Sequence, residues 1–147
     1  MQWKIIGIWA CLLLAADSPK GDSSRMDLET MQGDWALESM VADGSPVPDD
    51  DAQCLFRTVK GDQYTVFHFE KEISKGSFKI DASKNPKTID FYPGTTMDKT
   101  KAMAGIYALD KDTLKICYAT PGKDRPKEFA SKKDSSQTLA IWKREKK

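Results

Sequence analysis

From residue 35 onward the apolar positions of this chain recur with a period of two. Trp35, Leu37, Ser39 and Val41 alternate with Ala36, Glu38 and Met40, which predicts a strand with one mostly apolar face. Asp43-Gly44-Ser45-Pro46-Val47-Pro48 ends it, since proline cannot donate to a ladder and Gly44 permits a left-handed turn. Residues 54–59 and 63–69 then read as a hairpin around Lys60-Gly61-Asp62, both arms being rich in β-branched and aromatic side chains. In the second arm Phe67 and Phe69 share one face, and Tyr64, Val66 and His68 share the other. Further strands are predicted at 75–81, 88–92, 102–109, 113–118 and 138–144, divided by Asn85-Pro86, Pro93-Gly94, Asp110-Lys111-Asp112 and a long loop from Thr120 to Phe129.

The total is eight strands at spacings of roughly 10 to 15 residues, with no helix long enough for a parallel crossover. Sequential hairpins predict an all-β fold, an eight-stranded antiparallel up-and-down barrel, whose closure removes the edges an open meander would expose. Ahead of the first strand, Asp27-Leu28-Glu29-Thr30-Met31-Gln32 predicts a short helical turn with Leu28 and Met31 on one face and Gly33 as its stop. Ser24 is the candidate N-cap, with Asp27 three residues later. Residues 17–26 read as a flexible leader, and the barrel domain as 27–147. Gly33-Asp34-Trp35, Gly76-Ser77-Phe78 and Gly105-Ile106-Tyr107 repeat a Gly-x-aromatic pattern; glycine inside a strand marks a bend or a close backbone approach.

Residues 1–16 stand apart: Lys4 is the only charge, and an unbroken apolar run follows from Ile5 to Ala16. That is the layout of a secretory signal peptide, shorter than the roughly 20 residues a membrane-spanning helix needs, and it predicts a secreted or periplasmic protein that is not integral to a membrane. The rival reading is a lipoprotein signal with Cys11 as the lipid anchor, which Trp9 fits poorly. Loss of the signal leaves Cys54 and Cys117. In an oxidising compartment they could form a disulfide that stabilises the fold by roughly 4 kcal/mol; alternatively Cys117, in an apolar strand, is a buried thiol.

Composition adds mainly exclusions. With 23 basic and 22 acidic residues and a net charge of +1, the chain has no electrostatic footprint for nucleic acid. Asp49-Asp50-Asp51 lacks the spacing and glycine of a calcium loop, no His/Cys cluster has zinc spacing, and no glycine-rich loop enters a helix to cradle phosphate. The single histidine, His68, has no Gly-x-Ser-x-Gly nucleophile to serve. No enzyme, metal or cofactor is expected.

A helical turn before Gly33-x-Trp35, eight meandering strands and a cation late in the last strand resemble the lipocalin-like barrels. A closer resemblance spans nearly the whole mature chain. Leu28 to Trp35, Asp43-Gly44-x-Pro46-Val47-Pro48, Lys60-Gly61-Asp62-x-Tyr64-Thr65-Val66, Pro86-Lys87-Thr88-Ile89-Asp90, Gly105-Ile106-Tyr107, Asp112-Thr113-Leu114-Lys115-Ile116-Cys117 and Arg125-Pro126-x-Glu128-Phe129 are similar to an uncharacterised lipocalin-like domain family expanded in planctomycete bacteria. Cys54 departs from that pattern. The resemblance implies a floor in which Trp35 packs under Arg144, with Leu28, Met31 and Gly33 closing the same end. It implies no activity or ligand.

An eight-stranded barrel is just wide enough to be filled by side chains or to hold one small molecule. The leading expectation is therefore a binding module for a small apolar ligand, lined by Leu37, Phe67, Phe69, Phe78 and Tyr107, with Trp35 at the base. The alternative is a filled barrel that binds protein or envelope components through its Pro46-Val47-Pro48 and Arg125–Phe129 loops.

Overall fold

The computed structural model describes residues 20–146, so the expected signal peptide and Cys11 lie outside the described residues. Among those residues nine strands form one antiparallel sheet: β1 (Gly33–Ala42), β2 (Ser45–Pro46), β3 (Leu55–Lys60), β4 (Gln63–His68), β5 (Lys71–Asp81), β6 (Lys87–Pro93), β7 (Met103–Leu109), β8 (Thr113–Ala119) and β9 (Gln137–Arg144). β3 to β9 meander, each paired with the next, and β9 returns to β1 from Trp35↔Arg144 to Ala42↔Thr138. The result is the closed eight-stranded antiparallel barrel that the hairpin spacing predicts. β3 pairs only with Gly33 to Ala36 of β1; the two-residue β2 takes the other end of that edge, at Val41 and Ala42.

Strand parity is interrupted twice. The β1–β9 ladder shifts between Leu37 and Ser39, so one extra residue moves the inward face from Leu37 to Met40 rather than to Ser39 or Val41. A second shift lies between Val66 and Phe67 on the β4–β5 ladder. The Gly-x-aromatic sites are close approaches: a Cβ on Gly76 would lie 2.9 Å from Pro93 Cα, and one on Gly105 would lie 2.8 Å from the Cys117 carbonyl oxygen.

One end of the barrel is closed by α1 (Lys20–Met31), which begins earlier than the sequence predicts and corrects the flexible-leader expectation for residues 20–26. Tertiary anchors explain the extra turns. Ser24 and Asp27 do not cap the helix; they sit within it and tie it to the barrel. Ser24 Oγ accepts from the Ala82 amide (3.0 Å), and the Asp27 carboxylate accepts from Lys87 Nζ (2.8 Å) and the Tyr107 hydroxyl (2.7 Å). Met31 is buried and Leu28 packs against the core.

Trp35 is fully buried, and its indole N–H donates to the Met31 carbonyl (2.9 Å). Arg144 lies over its ring, Cζ 4.3 Å from the centroid, and donates to the carbonyls of Gln32 (2.8 Å), Thr30 and Lys111 (3.0 Å). Of the final carbonyls of α1, which have no partner within the helix, that of Thr30 is thus satisfied by the last strand and that of Met31 by the first. Gly33 turns the chain from helix to strand at φ +112°, a conformation other residues rarely adopt.

Outside the wall, residues 120–136 form a strap across β6, β7 and β8. Arg125 donates to the Ile89 and Gly105 carbonyls (3.2 and 2.7 Å) and to the Asp90 carboxylate (2.7 Å). Ile106 and Cys117, which point away from the interior, are buried all the same. The disulfide expectation is corrected: both thiols are free, Cys54 donating to the Asp50 carbonyl and Cys117 to the Ala130 carbonyl. Between β3 and β8 lie β1 and β9, so the two cysteines are three inter-strand spacings apart, roughly 14 Å along the wall and beyond the roughly 7 Å a disulfide tolerates.

Candidate binding cavity

The barrel interior divides into a packed half and an open half. Next to α1, the inward positions hold Trp35, Leu37, Val59, Phe78, Tyr107 and Leu114, all buried in one continuous core. Beyond them lies a cavity of about 250 Å³, lined on its apolar side by Met40, Leu55, Val66, Met103, Ile116 and Ala140. Ala140 creates much of this room: it sits between Met40 of β1 and Ile116 of β8, where a larger side chain would fill the centre. The lining comes mainly from the ends of β1, β4, β6 and β8 and the starts of β3, β5, β7 and β9, so the mouth faces away from α1. Ile73, 53% exposed, marks the rim.

The base of the cavity is polar in an unusual way. Register places Arg57 of β3 between Trp35 and Val66, facing inward, and its side chain is only 7% exposed. Its Cζ stands 4.8 Å from the Tyr64 ring centroid, 4.9 Å from that of Phe91 and 5.6 Å from that of Trp142. Among the described residues no carboxylate pairs with it, and its Nε has no hydrogen-bond partner. The Tyr64 hydroxyl and the Trp142 indole N–H, also buried, have none either. Ser74 is the polar neighbour of the Tyr64 hydroxyl, short of hydrogen-bond geometry.

Burial pushes the Arg57 guanidinium down to about 10, with the Tyr64 and Tyr118 hydroxyls acting in the opposite sense, so it remains charged at neutral pH. Burial also holds the Tyr64 hydroxyl above its ordinary range, leaving it protonated and able to donate. Removing a cation from water costs several kcal/mol even after relaxation. Each aromatic face returns about 0.5 to 2 kcal/mol. The rings therefore offset part of the desolvation cost while the Nε–H of the guanidinium stays unspent.

None of the five residues expected to line the cavity does so. Leu37, Phe78 and Tyr107 point inward but belong to the packed half. Phe67 is on the outer face of β4, opposite Phe56 of β3. Phe69 is 62% exposed in the β4–β5 turn, at φ +55°. The parity of β4 is decided by Tyr64 and Val66, the set on the other face from the two phenylalanines. His68 packs edge-on to Phe69, centroids 4.8 Å apart, beyond the polar base. Arg57, Tyr64, Phe91 and Trp142 escape the sequence reading. A signal existed for Arg57, since it falls in step with Leu55 and Val59 on the apolar side of its strand.

The loops put forward as interaction surfaces are partly used within the molecule, while Pro46, Pro48, Lys127 and Glu128 are exposed. Pro46 pairs with Val41, and Val47 packs on the core. Pro126 is buried, and Phe129 lies under Lys115, with Nζ 5.4 Å from its centroid. Among the described residues no group of His, Cys, Asp and Glu side chains could hold a metal ion, and no helix is long and apolar enough to cross a membrane. No protein-family model matches the chain, and neither the curated proteins nor the solved structures give a match.

Proposed function

We infer that this barrel is a lipocalin-like binding module, working outside the cytoplasm, that takes one small and largely apolar molecule through the end opposite α1. One observation carries the reading: half of the interior is packed by side chains and the other half is a cavity of about 250 Å³ with mostly apolar walls. An apolar cavity of ~150 Å³ holds one benzene, so this one suits a ligand of about ten non-hydrogen atoms. The extracytoplasmic part of the reading rests on the apolar stretch after Lys4, and family membership on the motifs named above. Binding is favoured over catalysis because the cavity presents donors and aromatic faces but no nucleophile beside a base. The filled-barrel alternative is disfavoured by the open half of the interior.

Native mass spectrometry of protein purified gently from its own host tests the reading. The expected result is a bound molecule of low mass that is absent from Ala140→Phe, a variant that fills the cavity centre and retains or gains thermal stability. Repeated recovery of empty wild-type protein, with no response of Trp142 fluorescence to 1-octanol or toluene, would refute it.

A further inference from the structure

The three orphaned donors at the cavity base carry the assignment of ligand class further. An arginine side chain offers five N–H donors and no acceptor, a protonated tyrosine hydroxyl can donate, and an indole N–H only donates. Arg57 lies against the rings of Tyr64 and Trp142, all three residues line the same cavity, and the protein supplies no acceptor to the buried Arg57 Nε, Tyr64 hydroxyl or Trp142 indole N–H. Buried polar groups are otherwise nearly always satisfied. What the site lacks is an acceptor-rich group with a negative charge. What the remaining walls offer is apolar surface. We propose that Arg57, flanked by Tyr64 and Trp142, anchors the carboxylate of a small monocarboxylic acid whose hydrocarbon part lies along Met40, Leu55 and Met103 toward the rim.

Geometry narrows the class. A carboxylate presents two oxygens to the planar fork of a guanidinium, and such charge-assisted bonds are shorter and stronger than neutral ones. Arg57 stands at the inner end of the cavity and Ile73 at the mouth, so the acid enters head first. Room for about ten non-hydrogen atoms fits a chain of six to eight carbons or a small aromatic acid. A second charge on the ligand would meet no further charged group in the lining. The rival role for Arg57 is a purely structural cation held by its three rings. The two roles predict opposite effects of removing the charge. A buried cation with no partner costs stability in the empty protein, so its replacement by an apolar side chain of similar length stabilises. A structural cation, once removed, leaves the protein weaker.

The inference rests on the binding reading above, and matched probes separate their failures. Octanoate and 1-octanol, of nearly equal length and differing in charge, are titrated into the wild-type protein by calorimetry and by Trp142 fluorescence. Octanoate is expected to bind about tenfold or more tightly than the alcohol. In Arg57→Met that preference disappears, while 1-octanol affinity is kept and the thermal midpoint of the ligand-free protein rises. Tyr64→Phe and Trp142→Phe, which retain the ring that stacks on Arg57, each lower octanoate affinity alone, and they keep the test open should Arg57→Met fail to fold. Equal binding of acid and alcohol by the wild type overturns the anchor and leaves the cavity reading standing, as does a preference for octanoate that survives Arg57→Met. A lower thermal midpoint in a folded Arg57→Met assigns the residue to structure and overturns the proposal. Failure of both probes to bind removes both readings.

Discussion

Arg57 and Arg144 are both arginines in strands stacked on tryptophan, and their surroundings give them opposite parts. Arg144 spends its donors on three carbonyls of the barrel floor and keeps a solvent-facing edge. Arg57 is enclosed, and its Nε–H has no partner among the described residues. Arg144→Ala is accordingly expected to destabilise the protein by roughly 2–4 kcal/mol, from lost charge-assisted hydrogen bonds and the Trp35 contact. Arg144→Lys should recover only a minor part, because an ammonium cannot reproduce the planar fork. Urea denaturation with an unchanged m-value is the check; a loss below 1 kcal/mol for the alanine variant would contradict the clamp. Arg144 was expected only through the resemblance to the lipocalin-like barrels. Arg57 left one faint trace, its step with Leu55 and Val59, which does not assign its role because one charge in a half-apolar strand looks the same whether its face is wall or interior.

At the scale of elements, every barrel strand could be placed from alternation and turn residues, yet the faces could not all be assigned. One extra residue between Leu37 and Met40 reverses parity for the remainder of β1, and no local residue type announces it. In β4 Phe67 faces out while Tyr64 faces in, and Phe69 lies exposed in the turn that follows. α1 began earlier than predicted because contacts from the β5–β6 turn and β7 stabilise a segment whose own composition is polar. Glycine positions test the element packing directly. Gly76→Ala would drive a Cβ against the Tyr92 carbonyl and Pro93 of the neighbouring strand and should cost about 2–3 kcal/mol. Gly21→Ala, where a Cβ meets nothing within 4 Å, should be neutral or stabilising by up to about 1 kcal/mol through helix propensity. Thermal and urea unfolding of the pair read the contrast, and equal effects would argue against the close β5–β6 approach.

For the whole molecule, buried acids set the alkaline limit of stability. Burial raises the Tyr107 hydroxyl well above its ordinary range, reinforced by its hydrogen bond to Asp27, and burial likewise raises the Cys117 thiol and the Tyr64 hydroxyl. The folded protein therefore keeps protons that the unfolded chain releases near pH 8.5 for cysteine and near 10 for tyrosine. Above those values the native state binds more protons than the unfolded one, and stability falls as pH rises; below about pH 8 this contribution is complete and flat. The thermal midpoint should hold steady from pH 6 to 8 and decline from about 9 to 11, with Tyr107→Phe reducing the slope above pH 10 and Cys117→Ala the slope nearer 9. A flat profile through pH 11 would contradict the burial of these groups.

The sequence by itself determined the number and order of the barrel strands and their antiparallel meander, because alternation and turn residues are local signals; the Trp35–Arg144 floor was expected from the resemblance alone. The tertiary structure decided which faces look inward, which half of the interior is filled, and that Arg57, Tyr64 and Trp142 share one enclosed space. Those outcomes depend on ladder shifts and on the volumes of side chains contributed by strands far apart in the chain. Ala140 leaves room only because Met40 and Ile116 are its neighbours, and Arg57 lacks a partner only because no carboxylate from another strand reaches the cavity base.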